Sequence, residues 1–226
     1  MGKSCGAAWP GANRLSYPFE DLVRAVQGHT MVDPERLRVL WNLGHRMAGH
    51  SIAGDFVECG SYKGGSAAVL RAAMGLGRRL WIYDSFQGMP PTTVEDGDEA
   101  KRFVGDCVGA KEDVIRILQA TGAHPVEYTL LEGWFKDTFL KSNIPECVAL
   151  LHCDADWYES VTLVLETFYD RVTPGGAIIL DDFGYWEGCR HAYYDFCFRR
   201  GIKPLLERVG VTQAWWIKGL EHNRPS

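Results

Sequence analysis

Two short stretches of this 226-residue chain place several acids where a parallel sheet would do chemistry. One reads Leu151-His152-Cys153-Asp154-Ala155-Asp156-Trp157-Tyr158-Glu159-Ser160 and the other Leu180-Asp181-Asp182-Phe183-Gly184. Each follows an apolar run of strand length, and ligands of such sheets bind beyond the carboxyl ends of the strands. If the two runs are neighbours, Asp154, Asp181 and Asp182 converge on one edge. Three carboxylates at close range repel one another, and burial adds to the cost. Such a cluster calls for a divalent cation, and hard oxygen ligands select Mg²⁺, Ca²⁺ or Mn²⁺ over zinc. Capping of a following helix would account for Asp156 or Asp182 alone, but not for acids at two strand ends together. A cation there would hold two oxygens of a diol and lower the pKa of the acceptor hydroxyl. The hydroxyl proton still needs a base, for which Asp156, Asp154 and His152 are candidates. His152 ranks last because it precedes the strand end.

A second motif lies earlier, Glu58-Cys59-Gly60-Ser61-Tyr62-Lys63-Gly64-Gly65-Ser66. Its glycines permit a tight turn and close approach of a ligand, and the helix that follows offers free N–H groups to an anion. A glycine-rich turn alone could be a plain connection. Asp84 strengthens it, 84 − 58 = 26 positions after Glu58 and at the end of the next strand, where a ribose diol is held. The turn reads E-x-G-x-x-x-G rather than the dinucleotide pattern G-x-G-x-x-G, which favours S-adenosylmethionine over NAD. The methionyl carboxylate would meet the amides of residues 61–66 and the ribose Asp84.

The elements that position these residues alternate. Residues 19–50 read as helical, with Leu22, Val23 and Val26 on one apolar face and Leu37, Leu40, Leu43 and Met47 on another. Strands are expected at 56–57, 80–83, 126–131, 148–152 and 177–180, with two more at 203–208 and 214–218. Helices are expected at 66–74, 100–120, 158–171 and 187–200. Short, uniformly apolar strands belong to a parallel sheet buried on both faces, and the alternation predicts a doubly wound α/β sheet. Residues 1–18, rich in glycine, proline and small residues, read as a flexible lead-in, and 19–226 as one domain. A net charge of −5 with scattered basic residues leaves no footprint for nucleic acid. No apolar run approaches the roughly 18 residues of a membrane span, and the N-terminus lacks a signal-peptide core. Seven cysteines without C-x-x-C spacing point to a reducing cytoplasm rather than a disulfide framework.

At these residues the chain resembles the macrocin O-methyltransferase family, whose members methylate sugar hydroxyls of macrolide and related antibiotics. The resemblance runs from Thr30 to about Lys218. It rests on Thr30-Met31 with Glu35-Arg36-Leu37, on Glu58-Cys59-Gly60 with Lys63-Gly64-Gly65, and on Asp84-Ser85-Phe86-Gln87-Gly88-Met89-Pro90. Further on it rests on Gly133-Trp134-Phe135-Lys136-Asp137-Thr138, on Asp154-Ala155-Asp156 with Tyr158-Glu159-Ser160, and on Asp181-Asp182 with Gly184 and Cys189-Arg190. It implies a Rossmann-like class I methyltransferase with a mostly parallel seven-stranded sheet and N-terminal helices covering the site. It further implies S-adenosylmethionine, Mg²⁺, a small hydroxylated acceptor such as a sugar diol, and a homo-oligomer. Carried onto this sequence, Asp154, Asp181 and Asp182 are the metal ligands, with Asp154 or Asp156 as the base. Thr30, Met31, Glu58, Gly60, Ser61, Gly64, Ser66, Asp84 and Ser85 form the cofactor-binding set, with Trp134 and Phe135 stacking near the adenine. The acidic stretch 95–99 is either a lid over the acceptor or a solvated loop. Catechol or phenol methylation is the competing acceptor class. Such an enzyme is expected to place a lysine beside the first metal aspartate, where positions 155–158 are Ala, Asp, Trp and Tyr. An NAD-linked oxidoreductase and a non-catalytic binding protein fit less well, the one lacking its glycine fingerprint and the other having no use for converging acids.

Overall fold

A computed structural model describes residues 18–141 and 144–222. The expected lead-in therefore lies outside the described residues except for Pro18. Five parallel strands form the centre, β1 (Asp55–Cys59), β2 (Leu80–Asp84), β3 (Tyr128–Glu132), β4 (Val148–Cys153) and β5 (Val172–Leu180). Two more, β6 (Glu207–Val209) and β7 (Gln213–Ile217), complete a seven-stranded sheet in the order β3-β2-β1-β4-β5-β7-β6. β7 runs antiparallel to both neighbours. The order reverses between β1 and β4, the switch point at which such sheets open a crevice.

Side chains alternate between the two faces of each strand. Val57, Tyr83, Leu151, Ile178 and Leu180 pack on one side with α7 (Tyr158–Phe168), α8 (Glu187–Arg200) and Phe139 of α6 (Phe135–Lys141). Phe56, Ile82, Leu150 and Ile179 pack on the other with α1 (Phe19–Val26), α2 (Pro34–Gly49), α3 (Gly65–Ala73) and α5 (Lys111–Ala120). With both faces covered, the central strands become the uniformly apolar runs seen in the sequence. Among the described residues no helix is long and apolar enough to cross a membrane.

Local chemistry sets the ends that matter. Asp33 caps α2 by accepting from the backbone N–H groups of Glu35 at 2.9 Å and Arg36 at 3.0 Å, with Pro34 at the first helical position, a strong start signal. Gly60, just beyond β1, has φ +88°, and a Cβ there would stand 1.8 Å from the backbone oxygen of Asp154. Only glycine lets these two strand ends meet.

Four expectations are corrected. The helix expected over 100–120 forms only from Lys111. Before it lie α4 (Gly97–Ala100), a 3₁₀ turn at Lys101–Phe103 and an irregular loop in which Gly105 and Cys107 take positive φ. The third strand starts at Tyr128 because Pro125–Glu127 forms a 3₁₀ turn. β5 begins at Val172, ahead of the expected 177, and takes Pro174, Gly175 and Gly176 into the strand. α6 follows β3 where the sequence offered only an aromatic pair.

The Gly60→Ala variant is expected to lose about 3 kcal/mol of stability, read from the urea midpoint. An unchanged midpoint would mean that the two strand ends can separate freely.

Candidate active site

Beyond the carboxyl ends of β1, β2, β4 and β5 lies a cavity of about 770 Å³. Its walls include Thr30, Met31, Gly60, Ser61, Ser66, Asp84, Ser85, Trp134 and Phe135 on one side, and Asp154, Asp156, Asp181 and Asp182 on the other. Two residues of the expected cofactor set stand outside this lining. Glu58 is fully buried beneath the floor, where its Oε1 lies 3.1 Å from His152 Nδ1. Gly64 packs against α5, for a Cβ there would be 2.9 Å from Val114 Cα.

The glycine turn is splinted by Asp84. Its Oδ2 accepts from the N–H of Ser61 at 2.7 Å and of Tyr62 at 3.0 Å, and from Ser61 Oγ at 3.2 Å. Its Oδ1 accepts from the Phe86 N–H at 2.8 Å. Tyr62 is thereby held at φ +50°, a left-handed conformation a non-glycine residue seldom adopts. Above the turn run residues 29–33, anchored where Gly65 N–H donates to His29 O at 2.8 Å.

On the acid side, β4 and β5 are paired with Cys153 opposite Leu180, so the residues that follow each strand emerge together. One carboxylate oxygen from each of Asp154, Asp156 and Asp182 lies within 4.8 Å of the others. Burial and mutual repulsion push the Asp154 and Asp182 carboxyls well above the usual range. Burial also raises Asp156, to about 6, against the hydrogen bond from Trp186. That bond runs from Trp186 Nε1–H to Asp156 Oδ1 at 3.0 Å and fixes a residue with φ +55°. Asp182 Oδ2 is buried without a hydrogen-bond partner. Buried acceptors in that state are uncommon, and this one, among repelling carboxylates, is of a kind that could serve a hard cation. The oxygen-only donor set is that of a hard ion.

Asp181 is the exception. It makes an ion pair with Arg36 and accepts from Gln213 Nε2 at 2.8 Å, and its Oδ1 lies 3.6 Å from His152 Nε2. Despite its burial these partners hold its pKa below the usual value. For His152, burial opposes the charged form, but Asp181 and Glu58 outweigh it and push its pKa up to about 9. His152 is also fully buried and stands outside the cavity lining, beneath the floor with Glu58, away from where an acceptor hydroxyl would sit.

Residues 89–106 form a roof. Met89 N–H donates to Asp106 O and Gly105 N–H to Met89 O, both at 2.9 Å, and Trp157 Nε1–H reaches Pro90 O at 2.9 Å. Asp96 is buried and pins the roof to the site. Its Oδ1 accepts from Tyr158 N–H at 2.7 Å and its Oδ2 from Thr93 N–H at 2.7 Å. The acidic stretch is therefore docked structure, and the solvated loop is ruled out at Asp96. Arg36, Asp96, Trp186 and Gln213 had no assigned role from sequence. Arg36 stood in a quoted motif and Asp96 in the acidic stretch, while nothing local marked the other two.

The strand order, the glycine turn after β1 and the acid after β2 define the class I S-adenosylmethionine-dependent methyltransferase fold. The macrocin-O-methyltransferase (TylF) family model matches residues 20–218, and the chain belongs to that family of O-methyltransferases. It is 34% identical over 197 residues to the 8-demethyl-8-(2,3-dimethoxy-alpha-L-rhamnosyl)-tetracenomycin-C 4'-O-methyltransferase of Streptomyces olivaceus, covering 83% of this chain and 75% of that protein. It is 30% identical over 198 residues to the demethyldecarbamoylnovobiocin O-methyltransferase of Streptomyces niveus, with the same coverage. Among solved structures, the O-methyltransferase NovP superposes with a TM-score of 0.76 at 27% identity, covering 84% of this chain and 82% of that one.

Asp182→Asn removes one repelling charge at constant shape. In the presence of a chelator it should raise the unfolding free energy by about 1 kcal/mol. A loss of similar size in urea denaturation would mean that Asp182 is already compensated inside the protein.

Proposed function

We propose that this enzyme methylates one hydroxyl of a sugar diol on a natural-product glycoside, using S-adenosylmethionine and a divalent cation, Mg²⁺ by preference. The observation that carries this reading is the cluster of acids at the ends of β4 and β5, Asp154, Asp156 and Asp182 within 4.8 Å of one another and buried Asp181 beside them, on the same cavity as the glycine turn. The family and the two relatives named for methylation of antibiotic molecules support the acceptor class.

Asp154, Asp181 and Asp182 are the proposed ligands of the cation. When bound, it would supply a Lewis acid and a template for two acceptor oxygens. The rest falls to side chains. Methyl transfer is an in-line displacement, so holding the acceptor oxygen in line supplies much of the rate. Trp186 fixes one oxygen of Asp156, leaving the other to take the hydroxyl proton as general base. Thr30, Met31, Ser61, Ser66, Asp84 and Ser85 bind the cofactor, and Trp134 and Phe135 supply the apolar wall for its adenine. A catechol acceptor is the second reading, favoured by the aromatic walls Phe103, Tyr185 and Trp186.

Calorimetry decides the first part. S-adenosylmethionine should bind both the wild type and the Asp181→Asn/Asp182→Asn double variant, and Mg²⁺ only the wild type. Cofactor binding with no metal binding, even beside a diol, would leave a metal-free enzyme that relies on Asp156. Asp156→Asn should lower kcat by roughly 10²- to 10⁴-fold with cofactor affinity retained. Unchanged kcat would remove Asp156 as the base.

A further inference from the structure

Arg36 enters the cavity from the first turn of α2, with its side chain only 14% exposed. Its guanidinium serves three acceptors at once. Nε donates to Asp33 Oδ2 at 2.8 Å, Nη2 to Met31 O at 3.1 Å, and Nη1 forms the ion pair with Asp181. The first two acceptors belong to residues 29–33, the strap over the cofactor half. The strap is held tightly at its other end too, since a Cβ on Gly65 would stand 2.7 Å from Thr30 Cβ. The third acceptor belongs to the acidic floor. A single planar fork thus ties strap to floor, which a flexible point charge could not do. Within the acidic floor it is Asp181 that Arg36 pairs with, both side chains being largely withdrawn from solvent.

We propose that Arg36 is the built-in counter-cation of the acidic cluster, holding Asp181 in the ion-free protein and competing with the divalent ion for it, while it braces the strap over the cofactor. The proposal rests on the metal reading above, and it assigns one side chain two effects of opposite sign. Removing the guanidinium frees Asp181 and takes a positive charge away from the cation site, so the metal binds more tightly. The same change unties Met31 and Asp33, so the cofactor binds more weakly. A residue that merely held the fold together would weaken both.

The test is calorimetry with MgCl₂ alone and with S-adenosylmethionine alone, on the wild type, Arg36→Gln and Arg36→Lys, with circular-dichroism melting to confirm folding. Arg36→Gln should bind Mg²⁺ on the order of tenfold more tightly and the cofactor on the order of tenfold more weakly. Arg36→Lys keeps the charge but cannot span three acceptors, so it should share the cofactor loss and retain the wild-type Mg²⁺ affinity. Folded Arg36→Gln with unchanged or weaker Mg²⁺ binding overturns the proposal and leaves the metal reading standing. Absence of Mg²⁺ binding from all three proteins removes the metal reading and the proposal with it. If Arg36→Gln does not fold, Arg36→Lys decides, and wild-type cofactor affinity there overturns the bracing role.

Discussion

Carboxylates stripped of water repel one another with a strength that neighbouring dipoles only partly offset, and four of them meet where β4 and β5 end. The chain cannot avoid this meeting. Pairing of the two strands is fixed by their buried side chains, with Leu151 opposite Ile178 and Cys153 opposite Leu180, and a register slip would turn core residues outward. The acids that follow are carried to one place. Each neighbour then answers part of the charge. Arg36 and Gln213 take Asp181, Trp186 takes one oxygen of Asp156, and Asp182 Oδ2 is left without a hydrogen bond. What remains is a cluster of acids facing the cavity whose mutual repulsion the protein's own side chains answer only in part.

The cofactor side and the acid side are not independent modules. Gly60 turns the chain after β1, and its missing side chain is the space into which the Asp154 carbonyl fits. Asp154 N–H in turn donates to Cys59 O at 2.9 Å. The residue that opens the nucleotide turn is therefore in backbone contact with the first acid of the cluster. Any adjustment of one strand end moves the other, so the glycine turn and the acid cluster keep a fixed relation. A group transfer between two bound molecules asks such rigidity of its scaffold.

Much of the frame was legible because its signals are local. Buried parallel strands are uniformly apolar, glycines mark the turn after β1, and acids close β2, β4 and β5. The loop after β2 was misread because Gly105 and Gly109 interrupt a stretch whose apolar spacing resembles a helix, and no periodicity shows where a chain folds back to pin itself through Asp96. The partners of the acids were illegible for another reason. Arg36 and Asp181 are 145 positions apart, and their contact depends on how α2 is rotated as it crosses the sheet. Trp186 reaches Asp156 across 30 positions because α8 begins directly above α7. Such contacts follow from packing angles between elements, which a single sequence does not print.

The roof shows how residue type alone can mislead about purpose. Five residues from Glu95 to Glu99, four of them acidic, invite the idea that their charge selects a cationic acceptor. Asp96, the one of these that lines the cavity, has both oxygens committed to Tyr158, Thr93 and the start of α7. Its carboxylate sits so close to α8 that a Cβ on Gly188 would stand 1.8 Å from Oδ1. The charge is therefore used up as a joint between roof and helices. Asp98 pairs with Lys101 outside, facing solvent rather than acceptor. What the roof offers an acceptor is instead the apolar and aromatic surface of Pro90, Pro91 and Phe103, the last packed edge-on against Trp186 at 5.1 Å. This side of the cavity is therefore apolar and aromatic, while the acids are concentrated at the ends of β4 and β5.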